Sequence, residues 1–475
     1  MKKQIHGLIT FFTFLSLTGC LSIDYSPIED RPFYKKTTEV FHQISTEYLS
    51  GVDAFPFLAG AARTQIIFPD GIQLAGYGKR RSKKSVSVHD PVFIRALAVK
   101  AGSKKVVLVN SDLLAVSNEL FETVLEKVKQ DIHLNPEDLM ITATHTHSGP
   151  GGLSDKFWEG FATGPFHEKF FETVTDQMAG VIVEAIENLE PARLRWGRAD
   201  APDLIKNRMV DKGPIDPEVG IIEFQNSEGK QKAILVNFSA HATVLGSENL
   251  SMSGDYPGAL EHSLEQENGT IALFTAGAVG DQTAHPPEVK TRNPENTRME
   301  RAAAMGRILS ERVQQAIDQD TWIDCGGVDS FRIPVYLPPT QVRVTNHYRL
   351  PSFFSSLFFD SVSSLQALRL GKQVLLGVPA DLSSQIGLEI KEYGKGLGLR
   401  VLIIGFANDY VGYIIPLESY KKGSYAGRMS FNGPHMDQYF REMAFQILDV
   451  LHAKILEPCH GEVLQGTENA GSFLE

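Results

Sequence analysis

Leu139-Met140-Ile141-Thr142-Ala143-Thr144-His145-Thr146-His147-Ser148-Gly149-Pro150-Gly151-Gly152 reads as a short buried strand running into a polar, glycine-rich loop. Leu139 to Ala143 suits a strand covered on both faces. In an extended backbone His145 and His147 point the same way, about 6.6 Å apart along the chain, so both can address one site. The glycines that follow let a substrate approach the main chain closely. His-x-His alone is a weak metal signal, and its meaning depends on what the rest of the chain brings to the same place.

Outward from this segment the pattern recurs. Strands are expected at Lys105–Asn110, Ala233–Ser239, Thr270–Thr275, Gln373–Val378 and Val401–Phe406. Helices are expected at Thr38–Leu49, Glu119–Ile132, Phe170–Leu189, Met299–Ile317 and Tyr439–Ile455. The second of these follows Ser117 and aligns Leu120, Phe121, Val124, Leu125 and Val128 on one face. The alternation predicts an α/β fold, a mixed but mainly parallel sheet flanked by helices. No internal repeat or low-complexity linker is visible. Nearly every strand ends in a polar residue of chemical interest. In chain order these are Asp112; His145 and His147; His241; Gly280-Asp281; Asp381; and Asn408, Asp409, Tyr410 and Tyr413. Open α/β sheets bind ligands at the carboxyl ends of their strands, so these residues are expected to meet at one edge. Two or three imidazoles with one carboxylate and no cysteine suit a catalytic zinc with an open position.

The flanks bound the setting. Lys2 and Lys3, an apolar run from Leu8 to Leu17, and Leu17-Thr18-Gly19-Cys20 have the layout of a secretory leader ending in a bacterial lipobox. Cys20 is then the lipidated mature N-terminus, and the protein is expected at the cell envelope, held to a membrane by that lipid. The apolar stretch Phe353 to Phe359 is too short to span a bilayer. The formal charge of −11 becomes −13 without Lys2 and Lys3, and no broad basic stripe is present, which argues against nucleic acid. The cluster Lys79-Arg80-Arg81, with Lys83 and Lys84, reads as a solvated loop. Cys325 and Cys459 could pair in an oxidising compartment, and their spacing does not make a zinc set.

The run from His145 to Gly152 resembles the signature of the neutral/alkaline ceramidase family, and further landmarks fall in the family's order. They are Gly76-Tyr77-Gly78, His89-Asp90-Pro91 with Arg95, Asn207-Arg208, Phe238 to Thr243, and Ser253 to Gly258. Val378-Pro379-Ala380-Asp381, Asn408 to Tyr425 and Gly433-Pro434-His435 complete the series. The resemblance covers roughly residues 57 to 450. With the leader (1–20), a tether with a short helix (21–55) and a loose polar tail (461–475) read from the residues themselves, it makes 56–460 the catalytic domain. It implies one zinc per chain on His145, His241, Asp381 and Tyr413, with His147, Arg208 and Tyr425 on the oxyanion side. The implied activity is hydrolysis of the amide of N-acyl sphingoid bases or related lipids. Another amide or ester substrate, or a non-catalytic lipid- or glycan-binding lipoprotein on the same scaffold, stays open. The chain departs from the family pattern at Asp381, where a glutamate is expected, and at Thr283, where a serine is expected. A C-terminal immunoglobulin-like domain is not expected within this length.

Overall fold

The computed structural model describes residues 21–459 apart from 49–51, 81–82, 157–159, 267–268, 291–295, 318–319, 356–357 and 455. The leader with Cys20 and the tail from 460 lie outside the described residues. Helix α1 (Pro32–Tyr48) packs Phe41 into the core, and the chain then runs three times through one order of elements. The first copy is β1 (Val52–Gln65), β2 (Phe93–Ala101), β3 (Lys104–Ser111), α2 (Asn118–Val128), β4 (Leu139–Ala143) and α3 (Glu168–Glu187). The second is β5 (Glu190–Asp200), β6 (Glu218–Asn226), β7 (Gln231–Phe238), α4 (Asp255–Glu265), β8 (Ile271–Ala276) and α5 (Thr297–Ile317). The third is β9 (Val328–Tyr336), β10 (Val362–Leu370), β11 (Gln373–Val378), α6 (Ser384–Gly396), β12 (Arg400–Gly405) and α7 (Met436–Ala453). In each copy the second and third strands form a hairpin whose turn holds a left-handed glycine: Gly102, Gly229 and Gly371 at φ 58°, 80° and 60°. The repeat that the sequence hides is therefore a repeat of topology.

The first two copies join edge to edge through β1 and β5, giving the order β8-β7-β6-β5-β1-β2-β3-β4. The third copy forms its own sheet, β9-β10-β11-β12. Only β3–β4, β7–β8 and β11–β12 run parallel, and every other neighbouring pair along these two runs is antiparallel. The expected mainly parallel sheet is thus corrected to a mostly antiparallel one. The strands read from sequence were the third and fourth of each copy, which are the parallel pair.

The two sheets stack face to face. Along β2, Ile94, Ala96 and Ala98 face α2–α5, while Leu97 and Val99 face the other sheet. On that second sheet Leu375, Leu402 and Ile404 meet them, and Val374, Leu376, Val401 and Ile403 turn to α1, α6 and α7. The result is four layers, helix–sheet–sheet–helix. Sheets covered on both faces explain the unbroken apolar runs of the central strands. Cys325 lies in a disulfide. No helix among the described residues is long and apolar enough to cross a membrane.

Candidate metal centre

The carboxyl ends of the parallel pairs meet at one point. His145 follows β4, His241 follows β7 and Asp381 follows β11. His145 Nδ1 sits 2.6 Å from the Leu114 carbonyl; His241 Nδ1 sits 2.8 Å from that of Val279 and 3.1 Å from that of Gln282. Donation at Nδ1 leaves each Nε2 unprotonated, so that its lone pair can take a cation. Asp381 Oδ1 stands 3.2 Å from His241 Nε2 and 3.7 Å from His145 Nε2. Four donors set tetrahedrally around zinc at about 2.0–2.1 Å lie roughly 3.3 Å from each other, so these separations fit a shared ion. Asp381 Oδ1 is buried and accepts no hydrogen bond, whereas Oδ2 accepts one from the Tyr410 hydroxyl at 2.7 Å. Burial pushes the Asp381 carboxyl above its usual range and His145 down to about 3, and holds His147 and His241 well below the usual imidazole range. A buried carboxylate oxygen with no donor, facing two neutral imidazole lone pairs, is the arrangement a divalent cation completes.

Tyr413 lies on the strand segment that pairs Asp381 with Tyr413. Its hydroxyl is 3.5 Å from His241 Nε2 and accepts from Arg208 Nη2 at 3.0 Å. Arg208 Nη2 also stands 3.1 Å from His241 Nε2 and donates to the Gly280 carbonyl at 3.0 Å. His147 Nε2 is 3.1 Å from His145 Nε2, and the His145, His147 and His241 donor atoms all lie within 4.8 Å of one another. Tyr425 stacks edge-on against Tyr413 at 6.0 Å and is 64% exposed, at the rim. Thr283 pairs with His241 through the backbone and with Lys206 on the segment that delivers Arg208.

Three expectations need correction. His145 is not extended but left-handed, at φ 60°, so the imidazoles meet through a kinked chain rather than through strand alternation. Asp112, Asp281, Asn408 and Asp409 end strands but do not reach the centre. Asp112 joins a buried ion cluster with Arg95 at 3.5 Å, Asp281 accepts from Ser383 Oγ and Ser384 N at 2.7 Å, Asn408 accepts from Ile141 N at 2.7 Å, and Asp409 from Ser363 Oγ at 2.7 Å. Arg80 is not solvated: it is 1% exposed and donates to the carbonyls of Ala75, His147, Gly246 and Ser247.

Sequence reasoning also passed over the walls. Phe406 stacks flat on His145, with centroids 4.0 Å apart, and Tyr77 packs on His147 at 4.8 Å. A Cβ on Gly76 would fall 2.5 Å from the His147 ring, so only glycine lets that loop close over it. The glycine-flanked tyrosine at 76–78 was the available signal. The centre forms the floor of a cleft walled by Leu113, Leu114, Val116, Leu153, Phe359 and Phe431.

A four-layer α/β protein with histidines and a buried carboxylate converging under an apolar cleft has the form of a metal-dependent hydrolase acting on a lipophilic substrate. Residues 57–301, just over half of the chain, match the family model described as neutral/alkaline non-lysosomal ceramidase, N-terminal, and the chain belongs to that family. The neutral ceramidase of Pseudomonas aeruginosa is 21% identical over 85% of this chain and 73% of its own length. Neutral ceramidase A of Dictyostelium discoideum is 22% identical over 70% of this chain, which spans 64% of that protein. Among solved structures, the Pseudomonas aeruginosa enzyme superposes with a TM-score of 0.77 at 21% identity, covering 86% of this chain and 76% of that one. A structure described as ceramidase complexed with C2 superposes with a TM-score of 0.73 at 20% identity, covering 88% of this chain and 78% of its own. At these identities the superpositions establish the fold.

Proposed function

We propose that the chain is a zinc-dependent amidohydrolase that cleaves the amide of N-acyl sphingoid bases. The observation that carries this reading is the buried, hydrogen-bond-free Asp381 Oδ1 facing His145 and His241 Nε2 at the floor of an apolar cleft. His145, His241 and Asp381 would hold the ion, with Tyr413 beside them. When bound, such an ion supplies Lewis acidity and makes water nucleophilic at neutral pH.

The remaining side chains take the other tasks. Water oxygen adds to the amide carbon, the C–N bond breaks, and a proton must reach the departing nitrogen. Arg208 Nη2, fixed by Gly280 and Tyr413, is placed to steady the developing oxyanion. His147, neutral and beside His145, is placed to take the proton that the attacking water loses and pass it to the amine. Tyr425 at the rim can bond the polar head of the substrate, while Leu113, Val116 and Phe431 take its hydrocarbon. We also take Leu17-Thr18-Gly19-Cys20 as a lipobox, so that the mature protein begins at a lipidated Cys20 and works at an envelope membrane. The test of the activity is fatty-acid release from a long-chain N-acyl sphingosine. Chelation should abolish release and zinc should restore it; turnover indifferent to chelation would refute the reading.

A further inference from the structure

Among the described residues of the basic run, Lys79, Lys83 and Lys84 are exposed, whereas Arg80 turns inward and is buried. Its guanidinium is held by main-chain carbonyls. Nη1 donates to those of His147 and, at 3.3 Å, Ala75; Nε donates to that of Ser247 at 2.9 Å, and Nη2 to that of Gly246. Ala75 lies between β1 and β2, His147 follows β4, and Gly246 and Ser247 follow β7, so one side chain ties three loops from two copies of the repeated unit. Burying a cation costs free energy that its hydrogen bonds must offset. The planar fork of an arginine is what lets a single residue reach four acceptors at once. The far side of the Gly246 loop is fixed independently, because Asp255 accepts from Val244 N at 3.3 Å and Leu245 N at 3.1 Å.

The three loops close on His147. His145 and His241 are each aimed by a carbonyl at Nδ1. His147 has no such guide: its Nδ1 is buried without a hydrogen-bond partner, while its Nε2 meets His145 Nε2 at 3.1 Å. Packing and main chain must therefore set the direction of this ring. Tyr77 packs on it, and the Arg80 guanidinium lies over the Tyr77 ring at 4.6 Å. His147 N donates to the Ala242 carbonyl at 3.1 Å, and the His147 carbonyl accepts from Arg80. Arg80 thus grips His147 twice, through its own carbonyl and through the tyrosine against its ring.

We propose that Arg80 is a positioning residue for His147. It fixes the main chain and the Gly76-Tyr77 lid that aim the imidazole at the reacting amide, in place of the carbonyl that aims His145 and His241. A displacement of about 1 Å in such a group lowers the rate by up to about a hundredfold, because proton transfer needs alignment. The metal ligands hang on other bonds, those to Leu114, Val279 and Tyr410, so Arg80 acts on turnover and not on the ion. The inference rests on the reading of His147 as the proton carrier in amide hydrolysis.

The full chain carrying Arg80→Met, with Arg80→Lys beside it, tests this. The first removes every carbonyl bond; the second keeps the charge and loses the fork. With zinc content at the wild-type level, kcat on an N-acyl sphingosine should fall about 100-fold in Arg80→Met and about tenfold in Arg80→Lys, with KM within about twofold of wild type. Wild-type kcat in folded Arg80→Met overturns the proposal. Loss of zinc, or a rise in KM as large as the fall in kcat, also overturns it, since Arg80 would then serve the scaffold at large. If Arg80→Met does not fold, the same criteria apply to Arg80→Lys. A second readout needs no hydrolysis: the imidazole nitrogen resonances of protein made with isotope-labelled histidine, His147 being assigned by its loss in His147→Gln. In Arg80→Lys the His147 signals should shift or broaden, and unmoved signals overturn the proposal even where turnover falls. A wild type that leaves N-acyl sphingosine intact refutes the amidohydrolase reading instead, and the resonance measurement still decides whether Arg80 orients His147.

Discussion

Copies two and three of the repeated unit put different donors at one equivalent place. In copy two the third strand ends at Phe238, level with Ala276 on its parallel partner, and His241 stands three residues on. In copy three Val378 is level with Gly405, and Asp381 stands three residues on. The returning loops match as well, since Thr283 bridges His241 and Tyr413 pairs with Asp381. In copy one Ser111 is level with Ala143, and the same count reaches Leu114, whose carbonyl sits against His145 Nδ1. The topology thus offers three equivalent positions, and side-chain identity turns them into a nitrogen donor, an oxygen donor and an orienting carbonyl. Imidazoles with a carboxylate are one of the donor sets that catalytic metal centres use.

Substitutions at the three places should part company in size. His241→Ala removes a donor and strands Asp381 Oδ1, so amide hydrolysis should fall by about a thousandfold or more, read as kcat/KM on metal-supplemented protein. Residual turnover within tenfold of wild type would take copy two out of the site. A middle effect belongs to Tyr410→Phe, which removes the donor to Asp381 Oδ2 and frees the shorter carboxylate to swing. Zinc affinity should weaken about 10–100-fold with the fold intact, measured by competition with a chromophoric chelator. An unchanged affinity would show that Asp381 is held by its backbone alone. The smallest effect is expected from Leu114→Ala, because copy one contributes a main-chain carbonyl. Zinc affinity should stay within about threefold of wild type, and a loss like that of His241→Ala would contradict the equivalence.

Legibility in the sequence followed unbroken apolar runs rather than burial, since β2, β6 and β10 are just as buried and were missed. The third and fourth strands of each copy are apolar, β-branched runs covered on both faces, such as Val106-Val107-Leu108-Val109 and Val401-Leu402-Ile403-Ile404, and they were read within two residues of their ends. The first two strands were missed. β1 is built on Ala, Gly and Pro56, β5 carries Arg193, Arg195 and Arg198, and β9 contains Pro334. Their strand state comes from neighbours rather than from their own preference. The same blindness hid the topological repeat. At the site, His145, His241, Asp381 and Tyr413 were named and do converge. Arg80, Phe406 and the Tyr410 contact were not legible, because each acts through residues distant in sequence. The shorter reach of Asp381 was legible as a question: the structure sets Oδ1 at ligand spacing from both imidazoles and ties Oδ2 to Tyr410.

The central claim is that His145, His241 and Asp381 hold one ion. Elemental analysis of purified wild type beside Asp381→Ala, each dialysed against the same trace of zinc, measures it most directly. The account predicts about one zinc per wild-type chain and less than a tenth of that in the variant, since losing Asp381 removes both a bond and the compensating charge. Full zinc in Asp381→Ala would contradict it.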